Sequence, residues 1–119
     1  MIYDCFVLNE KRMAILYQGS QQILGMLDVR TFASDTAKTS IMVNGEKADA
    51  SNTYVYKLGT APVAVTFEQA ITAGSDSWVS LSSNPLEVGS LSTNTMVTVA
   101  ELNSSGKAVA VGTALLNIG

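Results

Sequence analysis

Acid–base catalysis in this chain would have to come from carboxylates, because none of its 119 residues is a histidine. That absence excludes a serine–histidine–aspartate triad and any zinc site built on cysteine and histidine. Two facing carboxylates could still work as they do in glycosidases. However, Asp4, Asp28, Glu68, Asp76, Glu87 and Glu101 fall singly at turns or strand ends, where solvated surface acids belong. Calcium requires clustered oxygen ligands, and the EF-hand spacing is missing. Glu46, Asp49 and Asn52 could approach one another in a loop, but the solubility of a turn accounts for the same three residues. Cys5 is the single cysteine, so it has no partner for an internal disulfide and no histidine to activate it. It reads as a small buried hydrophobe in a reducing compartment. Ser105-Gly106-Lys107 matches only the tail of a phosphate loop, since Glu101 stands where the first glycine belongs and no helix follows. Asn103-Ser104-Ser105 is formally a glycosylation acceptor, without use in a cytoplasmic protein. No enzymatic activity, cofactor or metal is expected.

Aromatic side chains are the remaining route to a ligand. Tyr54 and Tyr56 lie two apart and therefore on one face of a strand. Together with Trp78 they could form a glycan platform or a protein-contact patch. Alternatively that face packs the core, with Trp78 as the anchor between sheets; eight aromatics are few for a domain that must fill an interior.

The elements that would position these residues follow from composition and pattern. A 47% hydrophobic, 14% charged chain of this length fits one domain, residues 1–119, and argues against disorder. Abundant Ser, Thr, Ala and Val suit strands and polar turns better than long surface helices. Ten acids against seven scattered bases leave no basic footprint for nucleic acid. No apolar run approaches the ~20 residues needed to span a bilayer. The opening Met-Ile-Tyr-Asp-Cys-Phe has an acid where a signal peptide needs bases, so synthesis in a cytoplasm is expected.

From residue 40 onward the chain reads as short strands between turns. Ile41-Met42-Val43 runs into Asn44-Gly45, a hairpin signal, with Glu46 to Ala48 returning. Tyr54 to Leu58 is strand-like, and Val63, Val65 and Phe67 alternate with Ala64, Thr66 and Glu68. Trp78 to Ser82 also alternates, with Trp78, Ser80 and Ser82 on one face and Val79 and Leu81 on the other. Leu86-Glu87-Val88 is a short edge piece. Thr95 to Leu102 meets Lys107 to Val111 across Asn103-Ser104-Ser105-Gly106, and Gly112 marks a bulge. Turns every eight to twelve residues predict an all-β antiparallel sandwich, immunoglobulin-like or jelly-roll-like, with residues 40–119 as its body. Residues 34–40 form a polar loop before it. Residues 1–33 fit a meander, with strands at Ile2–Leu8, Met13–Tyr17 and Ile23–Phe32. They also fit a helix from Asn9 burying Met13, Leu16, Leu24 and Leu27. Gly19 and Gly25 count against the helix, at about 0.8–1 kcal/mol each.

The stretch from Thr39 to Ile118 resembles small immunoglobulin-like or jelly-roll modules of bacteriophage particles. The likeness lies in Val43-Asn44-Gly45-Glu46-Lys47, in Val63 to Phe67, and in the valine-rich strand, Asn-Ser-Ser-Gly turn and Lys-Ala-Val strand of residues 97–110. Similar endings occur in bacterial surface domains. The resemblance implies a virion structural protein, of capsid-decoration, head-fibre-base or tail type, without site residues. It implies other virion or surface proteins as partners and a small homo-oligomer, a trimer or dimer. Low charge and many small apolar residues suit interface burial. Interface candidates are Phe6, Leu8, Ile15, Leu16, Ile23, Leu24 and Leu27 in the dense N-terminal segment, and Leu86 and Val88 on the edge piece. The alternative is a monomeric glycan- or peptide-recognition module, which requires Trp78 or Tyr56 to be exposed.

Overall fold

A computed structural model describes residues 24–119, and it is all-β, with no helix among them. Eight strands run in chain order: β1 Gly25–Met26, β2 Asp28–Ala33, β3 Thr39–Asn44, β4 Thr53–Gly59, β5 Val79–Ser80, β6 Leu86–Val88, β7 Met96–Leu102 and β8 Ala108–Leu115. They form a five-stranded sheet in the order β1-β8-β7-β4-β5 and a three-stranded sheet in the order β2-β3-β6. Every pairing is antiparallel except that of β1 with β8, which sets Gly25 beside Ala110 and Met26 beside Val111.

β7 is the centre of the molecule. Val97 to Leu102 are all buried, so both of its faces are covered. Its Val97 and Val99, with Tyr54 and Tyr56 of β4, pack against Ile41 and Val43 of β3 and Val29 of β2. This cluster joins the two sheets. On the opposite face Ala100 and Leu102, with Val55 and Ala108, pack against Ile71 and Trp78, flanked by Val63 and Val65. The second cover is therefore the connection between β4 and β5, not a sheet. Period-2 placement of apolar residues on β4 and β7 divides them between the two clusters.

The first described segment belongs to both sheets. β1 lies beside β8; the Leu27 N–H still donates to Val111 O at 3.0 Å, and the chain then passes to β2 beside β3. That crossing is why residue 112 is glycine. A Cβ there would meet the Leu27 carbonyl oxygen and come within 2.8 Å of Val29 Cγ2. Gly112 pairs regularly with Val99, so the expected bulge is not at this residue; the register shift falls between Glu101 and Leu102.

Other expectations are corrected as well. The strand anticipated over Ile23–Phe32 is present from Gly25 but is broken at Leu27, and residues 24–28 are not helical. The remaining N-terminal expectations, with Phe6, Leu8, Ile15, Leu16 and Ile23, lie outside the described residues. Of the polar stretch at 34–40, residues 34–38 are a loop that joins the paired strands β2 and β3, whereas Thr39 and Ser40 already belong to β3. Gly45 takes φ +96°, as a turn demands, but Glu46 to Ala48 do not return as a strand. Asn44 ends β3 opposite Asp28, and the chain leaves there for the other sheet. Val63 to Phe67 keep their alternating burial without a ladder. Only isolated bonds tie this stretch down, including Val63 N–H to Thr98 Oγ1 at 3.0 Å and Glu68 N–H to Ala108 O at 2.7 Å. The alternation over Trp78 to Leu81 holds although β5 is only two residues long. Trp78 is buried in the cluster with Val55 and Leu81 in the one with Tyr56, and Ser80 and Val79 pair with Val55 and Tyr56 respectively. The closing hairpin is as read, with Gly106 at φ +76° and the Asn103 carboxamide accepting the Ser105 and Lys107 N–H groups.

Candidate functional site

Glu101 organises the polar end of the molecule. It is 2% exposed, contrary to its assignment as a surface acid, because alternation sets it on the same face of β7 as Val97 and Val99, where the loop of residues 45–52 bonds to it. There Oε2 accepts the Ala48 N–H at 2.9 Å and the Asn52 Nδ2–H at 2.6 Å. A buried carboxylate requires such donors. Asp49 accepts the Ser51 N–H and hydroxyl, which hold its carboxyl below the usual carboxylate range. Asp49 and Asn52 are therefore both occupied in holding the loop. No group of three acids or other metal-ligating side chains occurs among the described residues.

The loop carries Lys47 to 5.6 Å from the centre of the Tyr54 ring. Beneath them are two adjoining cavities of about 460 and 370 Å³ that share Lys47, Tyr54 and Asn84. Glu46 lines the first, and Ser80, Ser82 and Ser83 line the second. Asn84 is fixed by two bonds of 2.9 Å: its Oδ1 accepts the Val43 N–H and its Nδ2 donates to the Val43 carbonyl. The amide thus pairs with β3 as a further strand residue would. Burial, and secondarily the Glu101 charge, push the Tyr54 hydroxyl above its ordinary value, so it stays protonated at neutral pH.

Of the three aromatics singled out from the sequence, Tyr54 alone opens into this cleft, and its ring is 6% exposed. Tyr56 is buried against the sheet-covered cluster, and burial raises its hydroxyl too. Trp78 is 3% exposed, beneath the Lys57 ammonium at 5.7 Å, and Lys57 also meets Asp76 at 3.4 Å. The requirement for an exposed Trp78 or Tyr56 is not met. Glu101, Lys47 and Asn84 were not recognised in the sequence, because their roles arise from how the loop of residues 45–52 and the Asn84 turn lie against the sheets.

A second region is apolar. Thr31 Oγ1 donates to the Leu115 carbonyl at 2.5 Å, and Asn117 Nδ2 donates to the Thr31 carbonyl at 2.9 Å, joining β2 to β8 and its tail. Phe32 and Leu115 flank the shallow groove at this junction. Among the described residues, four of the five large exposed hydrophobics, Met26, Phe32, Leu115 and Ile118, lie on β1, β2, β8 or that tail. Met26 is 94% exposed and Leu115 67%. Among the interface candidates, Leu24, Leu27, Leu86 and Val88 are half-buried and pack against the two core clusters. No family model matches this chain, and neither a curated protein nor a solved structure matches it.

Proposed function

We propose that the chain is a non-enzymatic β-sandwich module that attaches to a protein surface as a small closed oligomer, in the manner of a virion decoration or fibre-base protein. The connectivity favours an immunoglobulin-like sandwich over a jelly roll. Taking β1–β2 as the first strand, that strand, β3 and β6 correspond to A, B and E, while β4, β7 and β8 correspond to C, F and G. β5 extends the second sheet beside C. The observation that carries the attachment reading is the concentration of exposed Met26, Phe32, Leu115 and Ile118 along the margin where β1 and β2 run beside β8. Apolar side chains gathered on one margin mark an association surface, whereas single scattered ones do not. A closed oligomer would bury the same margin on every copy.

Light scattering of the full chain over a dilution series tests this reading. A dimer or trimer of the 12.5 kDa chain is expected, and Leu115→Glu should convert it to a monomer with an unchanged far-ultraviolet circular dichroism spectrum. A wild-type chain that is monomeric at every concentration, or an oligomer indifferent to Leu115→Glu, removes it.

A further inference from the structure

The attachment margin leaves the polar cleft without a role, and the chemistry of that cleft is different. Its walls carry one ammonium, Lys47, and one carboxylate, Glu46, so charge selects neither an anion nor a cation. What distinguishes it is the density of groups that both donate and accept hydrogen bonds. Ser80, Ser82, Ser83, Tyr54 and Asn84 all line it, each a residue type that can both donate and accept. Asn84 spends one hydrogen and one lone pair on Val43, leaving one hydrogen and one lone pair for a ligand. Ser83 donates to the Pro85 carbonyl at 3.0 Å and so offers its lone pairs. A ligand complementary to such walls must itself present many groups that donate and accept, without net charge.

We infer that the cleft between Lys47, Tyr54, Asn84 and the Ser80–Ser83 segment is a binding site for a neutral saccharide. Each sugar hydroxyl is at once donor and acceptor, matching the serines, the tyrosine and the free half of Asn84. The two cavities, each within the range of ~300–1,000 Å³ typical of ligand sites, accommodate adjacent sugar units. Lys47 donates without demanding an anion because Glu46 lies beside it in the sequence and lines the same cavity. The site is held in shape from behind. Glu101 fixes the loop that bears Lys47, and Val43 fixes Asn84, so binding orders few side chains. This inference stands apart from the oligomer, since Phe32 and Leu115 do not line the cleft.

The test is an array of immobilised oligosaccharides built from neutral hexoses, N-acetylhexosamines and uronic acids, probed with the full chain. Titration calorimetry then follows on the best-retained neutral sugar. Binding to at least one neutral saccharide is expected. Ser82→Trp should abolish it by filling the second cavity. Tyr54→Phe, which keeps the ring and removes only the hydroxyl, should weaken it about tenfold, the loss of a bond worth some 1.4 kcal/mol. Circular dichroism of both variants reports whether the fold is intact, and Tyr54→Phe decides alone should Ser82→Trp not fold. Three outcomes overturn the inference: no sugar retained, retention of uronic acids only, or binding unchanged in Tyr54→Phe.

Discussion

The two faces of the five-stranded sheet are covered in different ways. On one, Val97, Val99, Tyr54 and Tyr56 meet Ile41 and Val43 from a second sheet whose strands are tied together by a ladder six residues long. On the other, Val55, Ala100 and Leu102 meet Ile71 and Trp78 from a connecting segment held by isolated bonds. Both covers exclude water from the same central strand. They differ in what holds them when contacts are lost. A ladder keeps its register if one side chain is shortened, whereas the segment of residues 60–78 depends on its few large side chains. Beyond one short backbone bridge, at Ala70 and Lys107, hydrophobic contact holds that segment in place, and Trp78 is its largest anchor.

The strongest way to break this difference is Trp78→Ala. Removing a buried tryptophan costs about 3–5 kcal/mol, a large part of the stability of a domain this size. Urea unfolding followed by circular dichroism should show the midpoint fall accordingly. In the unaltered chain Trp78 is the only tryptophan, so its fluorescence reports the loop-covered face while circular dichroism reports the sheets. Coincident transitions are expected if both covers belong to one cooperative unit. A fluorescence change at lower urea than the circular dichroism change would show that the segment detaches first.

The same contrast explains what was legible in the sequence. Where a strand pairs over many residues, pattern and structure agree: Tyr54 to Leu58 and Met96 to Leu102 alternate between two clusters, and the Asn103–Gly106 turn closes the last hairpin. Where burial comes from a covering segment, periodicity misleads. Val63, Val65 and Phe67 alternate because one side of the segment faces the sheet, and nothing in that period requires a ladder partner. Asn44-Gly45 supplies a turn, but a turn alone does not decide whether the chain returns or crosses to the other sheet. Gly112 looks like a bulge in isolation; its real constraint is the Leu27 backbone, some 85 residues away in the chain. Glu101 followed the same course. A lone acid at a strand end reads as solvated, and only its place on the inner face of β7 under the loop of residues 45–52 buries it. The cleft drew on Tyr54, which was singled out, and on Lys47 and Asn84, whose positions depend on loop geometry.

The next effect in size concerns the loop that leaves the three-stranded sheet at Asn44 and enters the five-stranded one at Thr53. Glu101→Leu removes the acceptor of the Ala48 N–H and the Asn52 amide while keeping bulk in the interior. Each donor left unsatisfied costs about 1–3 kcal/mol. Glu101→Gln retains a carbonyl oxygen able to accept both and should lose clearly less. Hydrogen exchange at the Ala48 amide separates the two: fast in Glu101→Leu, near wild type in Glu101→Gln. Equal losses in the two variants would mean that the charge, not the acceptor, holds the loop.

The smallest effect belongs to the outer margin of the sheet cover, where pairing operates with little burial. Asp28 accepts two bonds from the Arg30 guanidinium, at 3.2 and 3.0 Å, and one from Asn44 Nδ2 at 3.2 Å, all at the solvent surface. These bonds, Arg30's first, hold its carboxyl below the ordinary aspartate value. A carboxyl lowered in the folded state binds fewer protons there than in the unfolded chain. Its contribution is therefore complete above the unfolded value and is lost as pH falls through the folded one. Asp28→Asn should leave the urea midpoint at pH 7 almost unmoved, since exposed ion pairs contribute little. It should flatten the acid side of the stability curve below the ordinary aspartate range, and raised salt should shrink the difference from wild type. A large loss at neutral pH would instead mean that the β2–β3 margin is held by this pair and not by its six-residue ladder. The sheet cover would then be as dependent on single side chains as the segment on the opposite face.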